Sequence, residues 1–86
     1  MYAYEVKPEL QRTLNTLFKK DRRLYGQIIN KIEEIINVQD INHYKNLKYP
    51  LEEYKRVHIG HFVLLFIFLK NEISFTDLDH HDNAYQ

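Results

Sequence analysis

At 86 residues, with 44% apolar side chains, seven Tyr and five Phe, the chain is long enough for one packed core and too apolar for intrinsic disorder. The absence of cysteine excludes a disulfide scaffold, a thiol nucleophile and thiolate zinc sites, and suits a reducing cytosol. The formal net charge is zero, which argues against a uniformly basic nucleic-acid binder.

The distribution of charge is more informative than its total. Residues 1–60 carry eleven Lys/Arg against eight Asp/Glu, and residues 61–86 carry one against four, so the two parts stand at +3 and −3. A local basic patch is therefore compatible with a neutral whole. The N-terminus, Met1-Tyr2-Ala3-Tyr4-Glu5, has no basic flank followed by an apolar run, so no signal peptide is expected. The longest apolar run, Phe62 to Leu69, is too short to span a bilayer. A single cytoplasmic domain over residues 1–86, with no membrane partner, is the expectation.

In chain order, Tyr2 to Val6 alternates with strand period and is rich in strand formers. Pro8 then sits where a first helical turn tolerates it, and Leu10, Leu14, Leu17 and Phe18 fall on one helical face. Lys19-Lys20-Asp21-Arg22-Arg23 interrupts the apolar pattern, with Asp21 placed to cap a second helix. Tyr25, Ile28, Ile29, Ile32, Ile35 and Ile36 mark that helix as amphipathic, and the short connection folds it into a hairpin with the first.

Residues 37–52 are polar and contain Pro50, which predicts a loop with room for a short strand near Leu47. From Glu53 to Ile59 the pattern alternates, with Val57 and Ile59 on one face and Tyr54, Arg56 and His58 on the other. Gly60 makes a turn. His61 to Leu69 reads as a central strand covered on both faces, and Lys70-Asn71 as a two-residue hairpin loop. Ile73 to Asp79 forms the last strand, before the tail His80-His81-Asp82-Asn83-Ala84-Tyr85-Gln86. The order strand, helix, helix, strand, strand, strand predicts an α+β fold: a two-helix hairpin on one face of a four-stranded, mainly antiparallel sheet. The other face, carrying Tyr54, Arg56 and His58, is left for a substrate or partner.

This order resembles that of the RelE/ParE toxin superfamily over essentially the whole chain. The stretch Tyr54-Lys55-Arg56-Val57-His58-Ile59-Gly60-His61-Phe62 is similar to the family's basic strand, glycine turn and apolar strand. Leu47-Lys48 precedes it as a Leu-Lys pair commonly does there. The tail His80-His81-Asp82-Asn83-Ala84-Tyr85 resembles the family ending of His, a basic residue and a final Tyr. There are departures: Val63 stands where many members carry arginine on the central strand, His58 replaces an arginine before the glycine, and His81 replaces the arginine after the tail His.

The resemblance implies a type II toxin that cleaves mRNA in the ribosomal A site, by attack of a ribose 2′-OH on the adjacent phosphate without a metal or other cofactor. It also implies a cognate antitoxin whose helix or strand packs over the fold. Such cleavage needs a base, cations on the phosphate and an acid for the leaving oxygen. His80 and His81 are the candidates for proton transfer, because imidazole titrates near neutral pH. Strand phase places His80 with Ser74, Thr76 and Leu78, and His81 with Ile73 and Phe75, so one of the two reaches the site, and the phase does not say which.

Arg56 is the candidate for gripping the phosphate, and Tyr85 for stacking on a base or donating to the phosphate. Lys45, Lys48, Lys55 and His58 would add charge to the same cleft, while Lys19, Lys20, Arg22 and Arg23 form a cluster that could dock on ribosomal RNA. Each also has a plainer reading, as a solvated surface charge or an anchored tail aromatic. His58-Ile59-Gly60-His61 and Asp79-His80-His81-Asp82 offer metal-ligand types, but His58 and His61 flank a turn and adjacent histidines on a strand diverge, so no metal site is expected. The superfamily also contains non-catalytic, gyrase-poisoning ParE-like members; such an inhibitor, or a toxin degenerated at its active site that acts only as a binding module, is the competing class for a chain with these departures.

Overall fold

A computed structural model describes residues 1–80 of the chain. The first strand, β1 (Ala3–Val6), leads directly into helix α1 (Pro8–Lys20), and Asp21 separates α1 from α2 (Arg22–Ile36). Pro8 opens α1, where its missing N–H costs nothing because the first helical amides have no intrahelical acceptor. Asp21 caps α2 as expected, its carboxylate accepting from the Leu24 amide at 3.1 Å. Arg22 closes the connection, donating to the Phe18 carbonyl at 2.9 Å with its guanidinium 4.0 Å from the Phe18 ring centroid.

Beyond α2 the chain makes one 3₁₀ turn (Ile41–His43) and then returns as β2 (Tyr54–Ile59), β3 (Phe62–Leu69) and β4 (Glu72–His80). The sheet order is β1-β4-β3-β2. β2, β3 and β4 form an antiparallel meander, and β1 lies parallel to β4 at the edge, which makes the sheet mixed. The turns match their chemistry: Gly60 has φ +61°, and Lys70 and Asn71 have φ 52° and 63°, as a tight hairpin with both central residues in the left-handed region requires.

Both helices cover one face of the sheet. Leu10, Leu14, Ile28, Ile32, Ile35 and Ile36 pack against Ile59, Leu64, Phe66, Ile73 and Phe75. Phe66 and Phe75 are fully buried, with rings 5.7 Å apart; full burial of each contributes about 1.5–3 kcal/mol. The loop expected at 37–52 carries the anticipated short pairing. Asn46 bridges Lys55, the Leu47 amide donates to the Tyr54 carbonyl at 2.9 Å, and the Arg56 amide donates to the Lys45 carbonyl at 3.1 Å. Residues 45–47 thus extend the sheet beyond β2.

One feature of β4 departs from the expected alternation. Phe66 pairs with Phe75 but Leu65 pairs with Asp77, so Thr76 is an extra residue in the ladder, its hydroxyl donating to the Leu65 carbonyl at 3.3 Å. A bulge of one residue reverses the phase of everything after it. Ile73 and Phe75 face the helices before it; Leu78 faces them after it, and Asp77 and Asp79 are turned to the open side. His80 pairs with Phe62 and packs ring against ring at 5.7 Å. The grouping of His80 with Ser74 is therefore corrected: the bulge carries it to the other face.

Candidate functional site

The open face is built from alternate residues of four adjacent segments. β2 contributes Tyr54, Arg56 and His58; β3 contributes Ile67, Leu65 and Val63 opposite them; β4 contributes Ser74, Asp77 and Asp79. Because residues 45–47 pair antiparallel with β2 around the Asn46–Lys55 bridge, Lys45 falls beside Arg56 and Leu47 beside Tyr54 on this same face.

The registers make rows across the sheet. One runs Lys45, Arg56, Leu65, Asp77; the next runs His58, Val63, Asp79. Each row passes from a cationic or imidazole side chain through an aliphatic one to a carboxylate. Arg56 and Asp77 start two strand spacings apart, about 10 Å. Val63 is fully buried although it lies on this face, and Leu47 is also buried. At the far edge the Ser74 hydroxyl donates to Glu5 at 2.7 Å, and Lys7 sits 3.2 Å from the same carboxylate oxygen. The Ser74 hydrogen bond and then that to Lys7 hold the Glu5 carboxyl below its usual range.

Of the residues singled out from the sequence, Arg56, His58 and Lys45 are brought together here. Lys48 follows Leu47, exposed in the turn that leads back to β2, with its carbonyl accepting from the Leu51 amide at 2.9 Å. Lys55 is not part of the face: it is only 7% exposed, on the helical side of β2, and its ammonium donates to the Tyr44 carbonyl at 3.1 Å and to Asn46 Oδ1 at 3.0 Å. The expectation that Lys55 meets RNA is therefore corrected, since alternation turns it away from Arg56. His80 likewise leaves the face, because the bulge reverses its phase. Lys19, Lys20, Arg22 and Arg23 belong to the helical layer on the far side of the sheet from Arg56. His81 and Tyr85 lie outside the described residues.

Asp77 and Asp79 were not expected on the face of Arg56, since straight alternation groups them with Ile73 and Phe75; only the bulge brings them there. Tyr44, whose carbonyl receives Lys55, has its hydroxyl 3.3 Å from Glu34. Burial, and then the Glu34 charge, push its phenol pKa above the ordinary value.

Over 89 aligned residues, spanning all of this chain and 93% of the relative, the sequence is 45% identical to a Methanocaldococcus jannaschii protein described as "Putative toxin RelE4". The chain belongs to the RelE toxin family. A second relative, an uncharacterised protein of Methanosarcina mazei, is 40% identical over 99% of this chain and 100% of its own length. No family model matches the sequence. The fold is shared with YafQ from Escherichia coli, at a TM-score of 0.74 with 10% identity and full coverage of both chains. It is also shared with the YoeB–YefM complex from Staphylococcus aureus, at a TM-score of 0.71 with 14% identity over 94% of this chain and 98% of that one. The two-helix hairpin on a mixed four-stranded sheet is thus the RelE-type architecture. Among the described residues of this RelE family member, no helix is long and apolar enough to cross a membrane.

Proposed function

We propose that this RelE family member is the toxin of a type II toxin–antitoxin pair and a ribosome-dependent endoribonuclease acting on mRNA. The observation that carries the reading is the open sheet face, where Lys45, Arg56 and His58 stand in adjacent register positions on a scaffold of this family. Lys45 and Arg56 supply positive charge for a scissile phosphate, and Arg56 can grip two of its oxygens at once. His58 offers an imidazole on the same face, one alternate position from Arg56.

The step balances without an external reagent. The ribose 2′-oxygen loses its proton to a base and attacks the adjacent phosphorus; the bond from phosphorus to the 5′-oxygen breaks; that oxygen takes a proton from an acid. The products are a 2′,3′-cyclic phosphate and a 5′-hydroxyl. We assign His58 and the tail residue His81 to the two proton transfers, and Tyr85 to stacking on a base. Lys48 adds charge at the cleft's edge, and the Lys19–Arg23 cluster on the helical layer is suited to ribosomal RNA. A cognate antitoxin is the proposed protein partner. The structural neighbours YoeB and YafQ have each been solved in a complex, with YefM and with DinJ.

A second reading is a non-catalytic, ParE-like inhibitor of gyrase. Asp77 and Asp79 favour it, because carboxylates on the open face oppose a phosphate chain. Induced expression in a bacterial host separates the two, with primer extension on a translated mRNA and a parallel DNA-supercoiling assay. Cuts inside codons that vanish when translation is blocked are expected. Growth arrest with intact mRNA and trapped gyrase would replace the nuclease reading with the second one.

A further inference from the structure

Lys55 is a charged side chain placed where the sheet packs against the helical layer. Its bonded partners are a carbonyl and an amide oxygen, Tyr44 O at 3.1 Å and Asn46 Oδ1 at 3.0 Å, neither of which carries a charge to offset the ammonium. Burying a cation on neutral partners is costly, and an unbranched aliphatic side chain would fill the same space without that cost. Pairing with β2 needs no ammonium, because the backbone bonds from Leu47 to Tyr54 and from Arg56 to Lys45 already supply it. The ammonium adds something else: it grips the residues immediately before and after Lys45.

Holding positions 44 and 46 from the helical side fixes the backbone at 45, and alternation then sends the Lys45 side chain to the open face. There it stands directly across from Arg56. The segment is otherwise held by its two backbone bonds to β2 and by the packing of the Tyr44 ring on Phe66 at 5.7 Å, neither of which fixes the exposed positions between them. Tyr44 is half-buried, Lys45 and Asn46 are exposed, and Leu47 alone is buried. Asn46 contributes a second tie by donating to the Glu52 carbonyl at 2.8 Å, which joins the two ends of the loop.

We infer that Lys55 is a positioning residue: a buried ammonium clamp that holds Lys45 beside Arg56 and so keeps a two-cation phosphate cradle assembled. This rests on the reading of the open face as an RNA site. Lys55 acts through Lys45 and touches no RNA.

The test uses the whole chain with Lys55→Met, which keeps length and packing and removes the charge. Asn46→Ala is the companion, an exposed position whose change removes one partner of the clamp, together with the tie to Glu52, without altering the core. Amide exchange at Leu47 and Arg56 reads the clamp itself. Affinity for a 2′-O-methyl single-stranded RNA, which cannot be cleaved, is measured across salt concentration and reads the cradle. Both variants are expected to lose protection at those two amides while β3–β4 amides keep theirs. Lys55→Met should lower the salt slope by about 0.7, one phosphate contact on a single strand, as Lys45→Ala does. The Lys45→Ala/Lys55→Met double variant should fall no further than Lys45→Ala alone. Unchanged protection at Leu47 and Arg56 in Asn46→Ala and Lys55→Met overturns the clamp. Lost protection with an unaltered salt slope, or additive losses in the double variant, overturns its role in placing Lys45. A wild-type chain with no salt-dependent affinity for the RNA removes the cradle along with the RNA reading, while the exchange data still decide whether the clamp exists.

Discussion

The two faces of the sheet share β2, β3 and β4 and are chemically unlike. On the helical face, Ile59, Leu64, Phe66, Ile73 and Phe75 meet the two helices in a continuous apolar layer. On the open face, Val63, Leu65 and Ile67 of β3 form an aliphatic stripe between Arg56 and His58 on one side and Asp77 and Asp79 on the other. β3 is apolar toward both faces, but only one of its faces meets a helical layer. The difference shows that an unbroken hydrophobic strand need not be a wholly structural one. Its second face can be the insulating floor between charges that must be kept apart, where a low local dielectric strengthens whatever a ligand meets.

The division between faces depends on the bulge at Thr76, because a ladder that took Thr76 in as an ordinary residue would turn Asp77 and Asp79 into the helical layer and Leu78 outward. Deleting Thr76 together with Asp77 is the most severe way to break the comparison. Leu78 then follows Phe75 and takes the open position opposite Leu65, and Asp79 takes the helical position opposite Leu64. A carboxylate buried in that layer costs several kcal/mol, comparable to the whole stability of a small domain. The expected outcome is a chain that no longer unfolds cooperatively in urea. Deleting Thr76 alone leaves Asp77 opposite Leu65 and should be tolerated far better, and Thr76→Ala, which loses one hydroxyl bond to Leu65, should cost only about 1 kcal/mol. A double-deletion variant as stable as the parent would show that the register is not what separates the faces.

A gentler substitution sharpens the same contrast within the open face. Arg56→Ala removes the cation at the centre of the proposed site and should reduce mRNA cleavage by about 10²–10³-fold, the range seen when one charge-stabilising group is lost. Asp77→Asn, at the other end of the same row, should act in the opposite sense and raise affinity for single-stranded RNA a few-fold, most clearly at low salt. Primer extension on translated mRNA and RNA titration measure the two. Equal losses from both variants would mean that the face works as a balanced charge pattern instead of a cationic site beside an acidic border.

How much of this was legible in the sequence divides along the same line. The helical layer was readable because the 3.6-residue spacing of Leu10 and Leu14, and of Ile28, Ile32, Ile35 and Ile36, states which side is buried. Asp21 as a cap, Gly60 and Lys70-Asn71 as turns, and the facing of Arg56 and His58 came from local chemistry in the same way. The pairing of β1 with β4 was not readable, since strand order is a matter of long-range packing. Nor was the bulge: nothing in Ser74-Phe75-Thr76-Asp77-Leu78 marks Thr76 as the extra residue, and the error in phase then misplaced His80. Lys55 was misjudged for a different reason. A lysine in a basic strand reads as solvent-facing, and only the carbonyl of Tyr44 and the amide of Asn46 disclose that its ammonium is engaged inside.

The weakest expected effect concerns the rear of that same corner. The Tyr44 phenol is held above its ordinary pKa of about 10, by burial first and by the neighbouring Glu34 charge second. Its protonated form is thus favoured by folding, and the sign comes from linkage. The contribution is fully present below the unfolded value near 10, where the phenol is protonated in both states. It is lost as pH rises from there through the raised folded value, because the unfolded chain releases the proton first. Urea titrations from pH 8 upward should therefore show a steeper alkaline loss of stability for the parent than for Tyr44→Phe, with the two curves parallel below pH 9. Since the Tyr44 carbonyl also receives Lys55, amide protection at Leu47 and Arg56 should fall over the same alkaline range in the parent. Parallel curves throughout would place the Tyr44 hydroxyl in water, and would detach the Glu34 contact from the support of the segment that carries Lys45.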